Sequence, residues 1–318
     1  MKNQRLLVHV LLILAYAMWG THGLWIRGID VPVTTLVFME SVFASLILLP
    51  FLIYTKQIKQ MASTKNFFVT VGVGALMALT VLALYRALQI TTISNGILAH
   101  WIAPVFVVLF APLFLPEKRE KIFGFALALA IGGLVIMTPL EDLSLGNKDL
   151  MGIGIALVSA VFFCGSIIAT KKIAGGFSPM VMMLGVFIAE IIFTSPIALT
   201  DPATLGYFHQ FVWLFIAKAI VTAILPFVIY MWAFQKIEAQ RVSIIGYMEP
   251  LSGVAFAAAF LNEIPGWNTL VGGLMILAAG AWIVLSASKR EAREAREGEA
   301  QLNPSGRPEE VEAFSSTS

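Results

Sequence analysis

Residues 93–117 read ISNGILAHWIAPVFVVLFAPLFLPE, and residues 239–263 read AQRVSIIGYMEPLSGVAFAAAFLNE. From Ile93 to Phe114 the first stretch holds no lysine, arginine, aspartate or glutamate. At about 1.5 Å per residue it is long enough to cross ~30 Å of hydrocarbon as a helix. The second stretch repeats its landmarks 146 residues later, with Pro104 returning as Pro250 and Glu117 as Glu263. One helix of a membrane protein has been written twice.

The echo extends outward in both directions. Met18-Trp19-Gly20-Thr21 aligns with Phe163-Cys164-Gly165-Ser166 at an offset of 145, and Pro50 and Ala87 align with Pro196 and Ala233 at 146. Gly124 and Gly132 align with Gly272 and Gly280 at 148. Composition agrees with a membrane protein: 58% of the 318 residues are hydrophobic and 13% charged, far from the soluble mean. Ten apolar spans are expected, over 6–26, 32–54, 67–89, 93–114, 121–139, 150–170, 179–199, 211–233, 243–261 and 268–287. The first, some 21 residues behind Lys2 and Arg5, imitates a signal peptide but is expected to stay as a helix, since the repeat needs it.

Five spans per half is an odd number, so the second half enters the bilayer from the opposite side. The expected fold is all-α, with ten transmembrane helices in two inverted five-helix repeats, over residues 1–140 and 141–287. Residues 288–318 form a charged tail, expected to be disordered beyond a short helical extension. With a cytoplasmic N-terminus, 17 of the 21 lysines and arginines fall in inner segments, leaving only Arg27, Arg86, Lys148 and Lys218 elsewhere. The excess of basic residues places both termini in the cytoplasm, in a multi-pass plasma (inner) membrane protein. Inverted halves supply an inward-open and an outward-open form by exchanging conformations, which points to alternating access around a midplane site.

These features resemble the EamA-type members of the drug/metabolite transporter superfamily. The likeness rests on Trp19-Gly20, Tyr85-Arg86-Ala87-Leu88, Pro104, Leu115-Pro116-Glu117 and the glycines from Gly124 to Gly132-Gly133. In the second half it rests on Gly165, Ala233, Pro250, Leu261-Asn262-Glu263 and Gly272-Gly273, so it covers residues 6 to 287. Cys164 stands where the family often has Trp, and Glu40 where the second span often carries Arg. The resemblance implies a ten-helix basket with a cavity lined by spans one, three, four, six, eight and nine. It also implies a small-molecule substrate such as an amino acid, another small metabolite, a vitamin or a drug.

Ionisable side chains inside a bilayer cost roughly 2.5–3.5 kcal/mol each, so they are candidates for function. They are His22, Glu40, Arg86, His100, Glu190, Lys218 and Glu249. Arg86, within about 5 Å of the outer boundary, is expected to snorkel to water, and Lys218, about 10 Å deep, lies near the limit of its reach. Glu40 and Glu190 are each able to hydrogen-bond a Ser or Thr on a neighbouring helix. His100, four residues before Pro104, and Glu249, one before Pro250, fall on equivalent helical faces that a two-fold axis would bring together. Each proline also frees a backbone carbonyl for cargo or water. A carboxyl and an imidazole there are able to exchange a proton; the competing role is a hydrogen bond that fixes helix packing.

Among the aromatics, Trp19, Tyr85, Trp101, Tyr230 and Tyr247 lie on spans expected to line the cavity, where an apolar wall with polar tips is wanted. Together with Glu249, His100, Glu40 and His22 they make up the candidate substrate-binding or coupling residues. Trp25, Trp267 and Tyr54 read as interfacial, Glu117 as a solvated loop charge, and the glycine faces Gly124/Ala128/Gly132 and Gly272/Gly280 as helix contacts. One cysteine and four scattered histidines exclude a disulfide framework and a metal site, and no motif for nucleotide or hydrolytic chemistry is present. The expectation is a secondary transporter, foremost an exporter of an amino acid or related polar metabolite, with protons as a candidate coupling ion. It has no cofactor and no nucleic-acid partner, and it works in the lipid bilayer as a monomer or homodimer. A passive facilitator is the alternative. A membrane-embedded enzyme is disfavoured, since no Asp, His or Glu cluster marks a membrane face.

Overall fold

The computed structural model describes residues 2–114, 123–138, 147–173, 176–234, 236 and 245–302. Glu117, the loop around Glu141 and the end of the tail lie outside these. The described residues are helical, without a strand. Seven helices are long and apolar enough to cross a membrane, over 7–28, 33–54, 64–90, 93–114, 148–172, 179–198 and 204–233. Three shorter apolar helices cover 124–137, 248–261 and 267–282. The molecule is a multi-pass membrane protein.

In chain order, α1 (Lys2–Gly20) passes through Thr21 into α2 (His22–Gly28), followed by α3 (Val33–Tyr54) and α4 (Thr64–Ile90). Next come α5 (Ile93–His100), α6 (Ala103–Phe114), α7 (Phe123–Met137), α8 (Lys148–Lys172) and α9 (Pro179–Ala198). α10 (Thr204–Lys218) runs through a π-helical turn, Ala219–Ile224, into α11 (Leu225–Phe234). α12 (Met248–Leu261) and α13 (Trp267–Leu302) complete the chain, the last continuing well past its apolar part.

Local chemistry sets these boundaries. Ser63, Thr92 and Ser178 each accept a hydrogen bond from a backbone N–H three residues on, satisfying the first turns of α4, α5 and α9. Pro179 occupies the first turn of α9, where its missing N–H costs nothing. Between α5 and α6 the ladder breaks at Trp101–Ile102, because Pro104 has no N–H to give the carbonyl of His100. α12 ends on Asn262, in the left-handed region at φ 55°.

α4 packs against α8 and α9, α3 against α9, α7 against α13, and α1 against α11 and α12. Small residues allow the closest crossings. A Cβ on Gly74 of α4 would stand 2.5 Å from the carbonyl oxygen of Gly185 on α9, and one on Gly133 of α7 the same distance from that of Gly272 on α13. The expected glycine faces are therefore only partly in contact: Gly124 has open space before it, and Gly280 faces the hydroxyl of Tyr247. Cys164 is buried beside Ala111 and Ile168, filling space. Tyr54 and Trp267 are exposed, as interfacial residues would be, but Trp25 is half-buried and bonds Thr21.

Candidate functional site

The most polar part of the interior lies where α2, α3, α4 and the α10–π junction meet. Lys218, wholly buried, forms an ion pair with Glu40, itself 6% exposed. The ammonium also donates to the Tyr85 hydroxyl at 2.9 Å and lies 4.7 Å from the centre of that ring. Thr222 donates to the other oxygen of Glu40 at 2.6 Å. His22 Nδ1 lies 2.8 Å from the Tyr85 hydroxyl, which in turn approaches Glu40 at 3.3 Å. Beside this group, Ser41 meets Glu190 of α9 at 2.5 Å. Glu40 and Glu190 therefore each find the hydroxyl partner on a neighbouring helix that their isolation in an apolar run demanded.

Lys218 was the least legible member. Its snorkelling range followed from a span beginning near 211, whereas α10 begins at Thr204. That start places Lys218 about 21 Å along the helix, beyond reach of either surface. The available signal was a lysine inside a long apolar run, with a threonine four residues on. Lys218 is the last residue before the π turn and Thr222 lies within it, and such turns recur at functional sites. Arg86, by contrast, is exposed and bonded to Gln89, as a snorkelling side chain should be.

His100 and Glu249 make no hydrogen bond or ion pair with each other among the described residues. The His100 ring turns to α8, with Nδ1 3.0 Å from Ser159 Oγ and its centre 5.3 Å from that of Phe163. Ser159 passes its hydrogen to the carbonyl of Thr80. Glu249 starts the first turn of α12, half-buried, with its backbone carbonyl against Gly20 of α1. Equivalent faces of the two helices meet different neighbours, α8 for one and α1 for the other.

The remaining candidates fall into two aromatic groups. Trp19 and Tyr230 lie 6.0 Å apart, and Tyr16, which sequence reasoning did not single out, completes the group at 5.2 and 6.2 Å. Trp101 and Tyr247 pack ring against ring at 5.2 Å. An apolar groove of about 320 Å³ lies between α2 and the α10–π segment, lined by Thr21, Leu24, Trp25, Ile29, Leu214 and Val221. Its lining offers no charged anchor.

A second polar network ties the helix ends around α5. Arg27 donates to the carbonyl of Thr91 at 2.6 Å and pairs with Glu263 at 3.5 Å. Glu263 accepts the N–H of Ile93 at 2.8 Å, Thr91 donates to Asp149 at 2.5 Å, and Thr269 to Asn95 at 2.9 Å.

The EamA-like transporter family model matches residues 6–138 and again residues 150–285. The pseudopaline exporter CntI of Pseudomonas aeruginosa is 27% identical over 65% of this chain and 70% of its own. The threonine/homoserine exporter RhtA of Salmonella typhimurium is 26% identical over 64% of each chain. A crystal structure of a protein 14% identical superposes with a TM-score of 0.59 over 90% of this chain and 98% of that one, a likeness of fold.

Proposed function

Because the chain belongs to the EamA-like transporter family, we propose that it exports an amino acid or related polar metabolite by alternating access between two inverted five-helix halves. The seven long and three shorter apolar helices make ten crossings of the plasma membrane, with both termini cytoplasmic. The two consecutive family matches support the two halves, and the relatives named as exporters support the direction.

The observation that carries this reading is the buried Lys218–Glu40 pair. An ion pair in an apolar interior gains little over a well-packed apolar pair, because desolvation offsets the attraction. Ionisable groups at membrane depth persist where they work. Here Glu40, Tyr85 and His22 come from the first half, and Lys218 and Thr222 from the second. Movement of one half against the other must therefore rearrange this pair, which makes it a switch between states. Trp19, Tyr85, Trp101, Tyr230, Tyr247 and His100 supply walls and polar tips for cargo, and Glu249 is the candidate proton carrier.

The test is counterflow of L-threonine and L-homoserine in proteoliposomes, with and without an imposed pH gradient. Wild-type protein should accumulate at least one of them against its concentration gradient when protons are supplied. Glu249→Gln, which keeps size and hydrogen bonding, should retain counterflow and lose the response to the gradient. Transport of both amino acids that ignores the gradient in wild type would leave a facilitator.

A further inference from the structure

We propose that Trp101 and Tyr247 form the dock for the carboxylate of the transported metabolite; this rests on reading the chain as a transporter. Trp101 stands three residues before Pro104 and Tyr247 three before Pro250, so the two are counterparts at the 146-residue offset of the halves. Their rings touch, with centres 5.2 Å apart and planes inclined by 46°. Counterparts that touch lie on the axis relating the halves, the one place equally available to both states of an inverted-repeat transporter.

Among the described residues both polar tips lack a partner. Trp101 Nε1 and the Tyr247 hydroxyl are buried without a hydrogen bond, and Tyr247 is 9% exposed. The other buried side-chain atoms in this condition among the described residues are the hydroxyls of Thr35, Ser45 and Ser94, which can rotate to a backbone carbonyl within the preceding turn. An indole N–H and a phenol have no such recourse, and a buried donor left unmet loses its hydration without return. Gly280 of α13 leaves the Tyr247 hydroxyl its space, which any side chain there would fill. Two unmet aromatic donors at one junction therefore call for an acceptor from outside the chain.

The backbone supplies the complementary chemistry. Pro104 and Pro250 have no N–H, so the carbonyls of His100 and Gly246 lack their α-helical donors. Broken helices in transporters present such carbonyls to cations. The indole N–H can only donate, so the ligand atom it meets is an acceptor. Donors for a carboxylate, on the same helix segments as carbonyls that lack their α-helical donors, suit the head of an α-amino acid.

The experiment uses the full-length protein in nanodiscs. Binding is measured for a panel of L-amino acids, threonine and homoserine included, each paired with the amino alcohol that lacks the carboxylate. Counterflow is run alongside. Wild type should bind at least one amino acid at least ten-fold more tightly than its amino alcohol. Tyr247→Phe and Trp101→Phe should each weaken that amino acid about ten-fold or more, since a bond to a charged acceptor is lost, and weaken the amino alcohol several-fold less, so that the preference for the carboxylate collapses. Tyr247→Phe should unfold at the same temperature as wild type or higher, because it removes an unmet polar atom. A lower unfolding temperature would show that the hydroxyl already has a partner and would overturn the dock. Counterflow of an amino acid bound no better than its amino alcohol would also overturn it, with the transporter reading intact. Absence of both binding and counterflow across the panel would remove the transporter reading and the dock with it.

Discussion

Lys218 and Glu40 set the largest single-residue effects expected in this protein. Both are buried, and neither has water to fall back on once its partner is gone. Lys218→Met leaves Glu40 with only hydroxyl partners, and Glu40→Gln leaves an ammonium facing an amide. Each single change should destabilise the folded protein by about 3–5 kcal/mol, the usual effect of orphaning one member of a buried pair. The double variant Glu40→Gln/Lys218→Met should recover most of that loss, because no uncompensated charge remains. Thermal unfolding in detergent checks the stability. Counterflow should be lost in all three variants, and a double variant that transports normally would reduce the pair to packing.

Helix α4 carries its own control experiment. Gly74 lies against the backbone of Gly185, which cannot rotate away, whereas Gly72, one half-turn earlier, has open space before it. Gly74→Ala should therefore cost about 1–3 kcal/mol through overpacking. Gly72→Ala should be neutral or stabilise by up to ~1 kcal/mol through helix propensity. Comparison of the two unfolding midpoints measures the crossing directly. At this scale much was legible in the sequence: an apolar run of sufficient length has few alternatives to a helix, and capping residues mark where it starts. The beginning of α10 was not, because residues 204–210 are mixed in polarity and carry no apolar run. That one boundary made Lys218 look shallower than it is. Glu190 and Ser41 were individually visible as polar residues in apolar runs, but their pairing depends on how α3 crosses α9, which no local pattern encodes. Trp101 and Tyr247 were visible as aromatics on the right helices, while their contact needed the two halves brought together.

Across the whole molecule, the network of Arg27, Glu263, Thr91 and Asp149 joins the two halves at one end. Under the proposed topology that end is extracellular, where the network would hold the outer mouth shut. Ser94 lies behind it, 1% exposed. A Ser94→Cys protein in a Cys164→Ala background should resist a membrane-impermeant thiol reagent added outside. Adding Glu263→Ala removes both the Arg27 pair and the acceptor of the Ile93 N–H. Labelling at position 94 should then rise at least ten-fold, and an unchanged rate would show that the mouth is closed by something other than this network.

The buried Glu40–Lys218 pair also bears on how the protein is made. Glu40 and Lys218 are 178 residues apart, so the carboxylate is synthesised and seated in the bilayer long before the lysine emerges. The helix that brings Lys218 spans 30 residues and is long and apolar enough to cross a membrane, despite a cost of roughly 2.5–3.5 kcal/mol for its charge. Once inserted, it must find a partner that only the first half provides. The pairing makes each of the two family-matched segments depend on the other for its buried charge.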